Sequence, residues 1–576
     1  MSEDQHGSPR AIWPIFVILL ASIGTMTTNC ADPDLWGHYQ YGKEVLRDGH
    51  LHPTTTWSYA VTGHPWINHE NIAELTTAWA VDTFGIWGLT IGKFLLATAM
   101  FGSVLWWGRR TGVSWFALGL VCVLAADNIR FHWQFRPHAL SYVCFAVMLA
   151  LLEYSFSGWR GTWRSWKAFF AGTSHDPPRA DLRPLRRLWL IPPLLCLWTN
   201  THGGFAAGLA IYAAYLGLRM IQGWAWWGRE SLGFQKRLFM MIIAGILATF
   251  LNPYGPNLHV WMADTLGAAP PEIGDWAPLP IWSMQAVGFW LLIAVVAFSL
   301  WKTSLPRDLV HVTLLALILW QGLAHCRHIC FFAMMCAFWI PRHFDSAVAP
   351  VVVAWRAQTA GRQPALWVRP LLTAPLIAWL AVIAAQLRPK LSTIPVERKE
   401  YPISAMQFIE DRELRGRTMV TFNWAQYAIA CFANDNTTEP SRVAIDGRLN
   451  TCYPRDVLDI YLDFLLGEPK PGARLRAPES GPYDPTLALS YEEPDLFLLD
   501  RGQKPAIRTI ERDSRWVLLY QDSLAQIWGR RDRYDDPNSP QYLPASRRVI
   551  TETPQIGSVM WPAFPVTRRA TSLASR

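Results

Sequence analysis

The strongest constraint on this chain is how its apolar residues are gathered. They fall into about eleven long runs, near residues 11–29, 86–107, 113–127, 138–156, 188–200, 204–221, 238–252, 285–301, 308–324, 328–341 and 367–387. In hydrocarbon, a run of this kind satisfies its backbone polar groups only as a helix, so the pattern predicts an α-helical polytopic membrane domain. Tryptophan usage agrees: many of the 32 tryptophans, among them Trp106, Trp107, Trp189, Trp198, Trp226, Trp227 and Trp301, stand near the ends of the runs. Indoles collect there when a run ends at a membrane–water interface.

Charge orients the runs. Residues 157–187 hold Arg160, Arg164, Lys167, Arg179, Arg183, Arg186 and Arg187 against Asp176 and Asp181, which marks a cytoplasmic segment. Residues 31–85 carry Lys43 and Arg47 against Asp32, Asp34, Glu44, Asp48, Glu70, Glu74 and Asp82, which marks an external loop. With the N-terminus inside and an odd number of spans, the chain beyond the last run is external, periplasmic in a bacterial inner membrane. The net charge of +8 then follows from basic inner loops, and no nucleic-acid partner is expected.

Composition divides the chain into 1–389, a transmembrane domain with external loop 31–85; 390–535, an exported soluble α/β domain; and 536–576, a loosely structured tail. Within the soluble part, a helix is expected over 402–411 and strands near 417–422, 442–445 and 495–499. A terminal hairpin is expected from 515–520 and 524–528. The nine cysteines show no metal-like spacing. Cys431 and Cys452 share the exported domain, where a disulfide is expected between them.

The polar residues with the most chemistry follow the first run. Pro33 biases Asp32 toward extended backbone, which leaves Asp34 at the N-cap of a helix beginning at Leu35. That helix, ended by Gly49, is expected to lie along a membrane surface. An Asp-x-Asp after the first span followed by an interfacial helix resembles the first external loop of GT-C glycosyltransferases, which use lipid-linked sugars. Residues 52–75 (HPTTTWSYAVTGHPWINHENIAEL), Phe422-Asn423-Trp424 and residues 443–448 (VAIDGR) resemble a group of large bacterial membrane proteins of GT-C character.

The resemblance implies a GT-C-like membrane domain and an inverting transfer from a polyprenyl-phosphate carrier to an external acceptor. Asp34, with Asp32 beside it, is the expected base, and any metal would be Mg²⁺ or Mn²⁺ on these two acids. Trp36, His38, His69, Glu70, Asp446 and Arg448 are the expected substrate contacts. Arg136, His138, Arg327 and His328, on external turns, are expected to hold the donor phosphate. Polyprenyl-phosphate sugar and membrane lipids are the expected partners. Each feature has a plainer reading: a helix cap, structural histidines, arginines snorkelling to ordinary lipid, a salt-bridged turn. The rival function is a non-catalytic transporter or assembly factor for surface polysaccharide.

Overall fold

The computed structural model describes residues 13–159, 182–267, 274–359, 368–434, 440–468, 474 and 476–566. Most of the basic segment at 157–187 and the last ten residues of the expected tail lie outside the described residues. The chain forms two compact units: Met1–Thr28, Thr90–Gly255 and Gly274–Ser392 make one, and Asn29–Leu89, Pro256–Ile273 and Thr393–Arg576 make the other. Loop 31–85 thus groups with the C-terminal part of the chain.

The first unit is helical throughout its apolar runs. Among the described residues, five helical stretches are long and apolar enough to cross a membrane: Ile86–Arg110, Trp115–His132, His138–Ser155, Phe205–Thr249 and Met284–Lys302. Trp13–Met26 and Leu309–Ala324 are shorter apolar helices. Phe205–Thr249 covers two of the expected runs, and the runs near 328–341 and 367–387 fall in the helices Ile329–Thr359 and Val368–Ser392. The run at 188–200 is the short one: Pro192 and Pro193 confine its α-helix to Ile191–Thr199, after a 3-10 stretch over Arg183–Leu190.

Side chains at the helix ends explain where several helices begin. Ser114 accepts from the Ala117 N–H and Asp308 from the Val310 N–H, each at the start of its helix. Asp308 also pairs at 2.7 Å with Arg219, whose side chain is almost fully buried. Glu153 pairs with His311 at 2.8 Å and accepts from the Trp339 indole at 2.8 Å. These charges bind four helices together, because an unpaired charge among apolar helices is too costly to keep. The tryptophan expectation divides: Trp106, Trp189 and Trp301 are exposed, but Trp107 and Trp198 are buried. Trp198 donates to Ser141 Oγ at 2.6 Å and belongs to the core.

The second unit is built on a six-stranded sheet of order β3-β2-β4-β6-β5-β7. Its strands are β2 (Arg417–Val420), β3 (Arg442–Val443), β4 (Leu496–Asp500), β5 (Trp516–Gln521), β6 (Ala525–Arg530) and β7 (Val549–Ile550). β2 lies parallel to β3 and to β4, and β5 with β6 is the expected antiparallel hairpin. Leu496 to Leu499 are all buried, the continuous apolar run of a strand covered on both faces. Helices Ile403–Asp411, Ala425–Ala433, Arg455–Leu466 and Lys504–Glu511 connect the strands.

The segment expected to be a loose tail is in part ordered. β7 extends the sheet, β8 (Ser558–Met560) pairs with β1 (Pro395–Glu397), and Trp561 is buried. The expected disulfide is absent: Cys431 and Cys452 are both buried free thiols, and burial pushes Cys452 up to about 12.

The helix Leu35–Asp48 is a core element of this unit, not a membrane-surface helix. Residues on nearly every side of it, from Trp36 and His38 to Tyr41, Glu44 and Val45, are buried. It packs on Asn71–Phe84 and Ala425–Ala433. A Cβ on Gly42 would stand 2.1 Å from the Glu74 carbonyl oxygen, so the first two helices touch backbone to backbone. Gly49 ends the helix with φ of 72°, its N–H bonded to the Val45 carbonyl.

Candidate active site

Residues 53–69 join the first loop to the edge of the sheet. The Tyr59 N–H bonds the Val443 carbonyl at 3.0 Å, the Val443 N–H bonds the Trp57 carbonyl at 3.0 Å, and Ser58 Oγ donates to the Ala444 carbonyl at 2.6 Å. The turn after β3, Asp446-Gly447-Arg448, is thereby held against the first loop. Arg448 makes a two-pronged pair with Asp446, at 2.9 Å from Nε and 2.7 Å from Nη2. Tyr453 donates to the same carboxylate at 2.7 Å, and Nη2 of Arg448 also reaches Thr55 at 2.5 Å. The guanidinium lies over Tyr41 and Trp66, 4.4 and 4.6 Å from the ring centroids. Burial raises the Asp446 carboxyl, but the Arg448 charge and the hydrogen bonds from Arg448 and Tyr453 outweigh it, and the net direction is down.

Asp32 and Asp34 differ in what they do. Asp32 is buried and accepts the Asp34 N–H at 3.0 Å, which fixes the bend before the helix. Asp34 occupies the N-cap position, but its side chain makes no cap hydrogen bond. The capping role expected of it is not seen. Its Oδ1 instead faces the turn after β3: a Cβ on Gly447 would stand 2.5 Å from that oxygen and 2.7 Å from Nε2 of Gln426. Asp34 is only partly covered, whereas Asp446, next to Gly447 in the turn that Asp34 faces, is fully buried.

One turn along the helix, His38 faces Glu74 at 3.5 Å and Glu70 at 3.9 Å. Burial opposes its protonated form, but hydrogen bonding to Glu74 and the charges of Glu70, Glu74 and Asp34 raise its pKa overall. His69 stacks on Trp261 with ring centroids 4.9 Å apart and lies 3.8 Å from Glu70. His38, Glu70 and Glu74 are the metal-ligand group found among the described residues; Asp32 and Asp34 are not in it. Trp36 is fully buried, packed on Tyr401 and Tyr427, with its indole N–H on the Pro562 carbonyl at 2.8 Å. It offers no surface to a substrate.

In the helical unit, the turns carrying Arg136, His138, Arg327 and His328 meet at one end. A chain of rings joins them: His138 to Tyr142 at 5.6 Å, Tyr142 to Phe331 at 5.9 Å, and Phe331 to His328 at 6.3 Å. His138 is tied to the His132 carbonyl, and Arg327 lies 4.3 Å over Trp276. Burial, with Arg327 and His325 nearby, pushes His328 down to about 4, so the positive charge on its turn is that of Arg327. Lys93 was not singled out from the sequence. It is buried on the helix Ile86–Arg110, 2.8 Å from the Thr28 carbonyl and 4.2 Å over Phe135. A lone lysine inside an apolar run was the available signal. Glu74 was also missed as a site residue.

A bundle of apolar helices joined to an α/β unit that incorporates loop 31–85 is the GT-C fold. The oligosaccharyltransferase of Archaeoglobus fulgidus, solved with a tethered acceptor peptide containing the NVT sequon, shares it at a TM-score of 0.51 and 10% identity, over 90% of this chain and 74% of that one. ArnT from Cupriavidus metallidurans aligns at 0.48 in the apo state, with 12% identity over 90% and 97% of the two chains. Bound to undecaprenyl phosphate it aligns at 0.46, with 10% identity over 92% and 99%. No protein-family model and no curated protein matches the chain. At these identities the likeness concerns fold alone.

Proposed function

We propose that this protein is a glycosyltransferase that moves a sugar from a polyprenyl-phosphate carrier to an acceptor hydroxyl on the external face of the membrane, with inversion at the anomeric carbon. In this reading Asp34 is the base. The bond from the anomeric carbon to the phosphate oxygen breaks with its electron pair left on the lipid phosphate. The acceptor oxygen bonds the opposite face of the same carbon, and its proton passes to the Asp34 carboxylate. The phosphate leaves as an anion and needs no acid. Arg136 and Arg327, with His138 and His328, would bind it.

The observation that carries this reading is the state of Asp34. Its carboxylate sits at a helix start, partly exposed, with Oδ1 facing the turn after β3. Asp32 and the Asp446–Arg448 turn act as positioning groups around it. Transfer assayed in membrane fractions with a total polyprenyl-phosphate-sugar extract tests the role. Asp34→Asn should lose turnover by about 10² to 10⁴ fold. Wild-type transfer by both Asp34→Asn and Asp32→Asn would overturn it. The orientation is proposed with it: a phosphatase active only outside the cytoplasm should work when fused near Gly63 or after Lys390, and be silent near Thr173.

A further inference from the structure

We propose that His38, Glu70 and Glu74 form a binding site for one divalent transition-metal cation, with Zn²⁺ the best geometric match. The proposal stands whether or not the chain transfers a sugar. Nδ1 of His38 lies 3.5 Å from one oxygen of Glu74 and 3.9 Å from one of Glu70, and the three ligand atoms all lie within 4.8 Å of one another. These separations are long for hydrogen bonds. Ligands on a tetrahedral zinc, at about 2.0–2.1 Å from the metal, stand roughly 3.3–3.4 Å apart. A small inward movement of Glu70, at the start of its helix, closes the set.

The far side of each carboxylate is held as a metal ligand's is. The second oxygen of Glu74 accepts from Asn68 Nδ2 at 2.6 Å, and the second oxygen of Glu70 lies 3.8 Å from His69 Nε2. Each acid thus turns one oxygen toward His38 and gives the other to a supporting side chain.

A second observation points to a group that the side chains themselves do not supply. Tyr41, one turn beyond His38, is 1% exposed, and its hydroxyl has no hydrogen-bond partner. It sits among Arg448, Asp446, Cys452 and Glu74. A buried hydroxyl is rarely left unpaired. Three protein ligands leave a tetrahedral cation one open position for a water or substrate oxygen. One imidazole with two carboxylates favours a transition metal over Mg²⁺, which prefers an oxygen octahedron rich in water.

The test uses the full-length chain in detergent, stripped with a chelator and titrated with Zn²⁺ against a chromophoric zinc indicator. One tight Zn²⁺ per chain is expected, not displaced by millimolar Mg²⁺. His38→Ala and Glu70→Gln should each weaken it by about 100-fold or more, and Asn68→Ala by roughly 10- to 100-fold, as loss of an outer-shell partner does. Glu70 is chosen beside the more deeply buried Glu74 because its replacement threatens folding less, and circular dichroism checks each variant. X-ray absorption should report one imidazole and otherwise oxygen ligands. No stoichiometric Zn²⁺ in the wild type, equal affinity in His38→Ala, or displacement by Mg²⁺ would each overturn the site. A wild-type chain that binds Zn²⁺ but transfers no sugar would sink the glycosyltransferase reading alone.

Discussion

Two acidic motifs of the α/β unit look alike in sequence and are used in opposite ways. Asp446-Gly447-Arg448 closes on itself: the carboxylate is fully buried and takes hydrogen bonds from Arg448 and Tyr453, and the guanidinium lies over two aromatic rings. Asp32-Pro33-Asp34 closes only halfway, with Asp32 bound to the Asp34 amide and the Asp34 carboxylate partly open beside Gly447. The Asp446 carboxylate, with hydrogen bonds on both oxygens, has little left to offer a substrate, although Nη1 of Arg448 is buried without a hydrogen-bond partner. An acid that stays partly exposed can accept a proton from a bound acceptor. Under the proposed function the two motifs are frame and reagent.

The largest effect expected from this contrast is kinetic. Asp34→Asn keeps volume and oxygen but removes proton acceptance, so transfer should fall by about 10² to 10⁴ fold. Because no cap bond is lost, the thermal midpoint of the purified chain should stay unchanged. Arg448→Ala should show the inverse pattern. It leaves the Asp446 carboxylate buried without its counter-charge, at a cost of about 3–5 kcal/mol, and activity should fall only in step with lost folded protein. A stable but inactive Arg448→Ala would move that residue from frame to reagent.

A smaller effect tests the platform that carries Asp34 and His38. Gly42→Ala places a methyl into the Glu74 carbonyl, an atom of the backbone that cannot rotate away. Separation of the two helices should cost about 1–3 kcal/mol, read as a lowered midpoint in denaturant or heat. An unchanged midpoint would mean that the helix pair adapts without strain.

Much of the fold was legible because its signals are local. Apolar runs marked the helical unit, short apolar segments marked β2, β3 and β4, and Gln521-Asp522-Ser523 marked the hairpin turn. What was not legible depends on partners far away in the chain. Nothing near Trp36 says that Pro562, Tyr401 and Tyr427 will enclose it, and nothing near Ser58 says that it will meet Val443. An amphipathic helix shows which face wants cover, but not whether lipid or protein supplies it; hence Leu35–Asp48 reads as interfacial and is core. Glu74 reads as a surface acid in a first helical turn until Gly42 brings the Leu35–Asp48 helix against it. Cys431 and Cys452 share a compartment in the expected topology, but only the fold shows that one sits on a helix and the other in a turn.

The smallest effect concerns pH and separates the frame from the reagent without touching catalysis. Asp446 has its carboxyl pKa depressed in the folded chain, since Arg448 and Tyr453 stabilise the ionised form more than burial opposes it. Such a group contributes stability that is fully present above its unfolded pKa of about 3.9 and is lost as pH falls through the lower, folded value. Each unit of depression is worth about 1.4 kcal/mol. The melting temperature of the wild type should therefore hold down to about pH 4 and then drop as the solution is acidified further. Asp446→Asn removes the charge at every pH, so it should melt lower than wild type at pH 7 while losing less between pH 4 and pH 2. Asp34→Asn should follow the wild-type curve throughout, because the Asp446–Arg448 pair is left intact. If Asp446→Asn instead kept the wild-type slope below pH 4, the buried pair would not be what acid breaks first, and the Asp446–Arg448 turn would lose its place as the frame that holds Asp34.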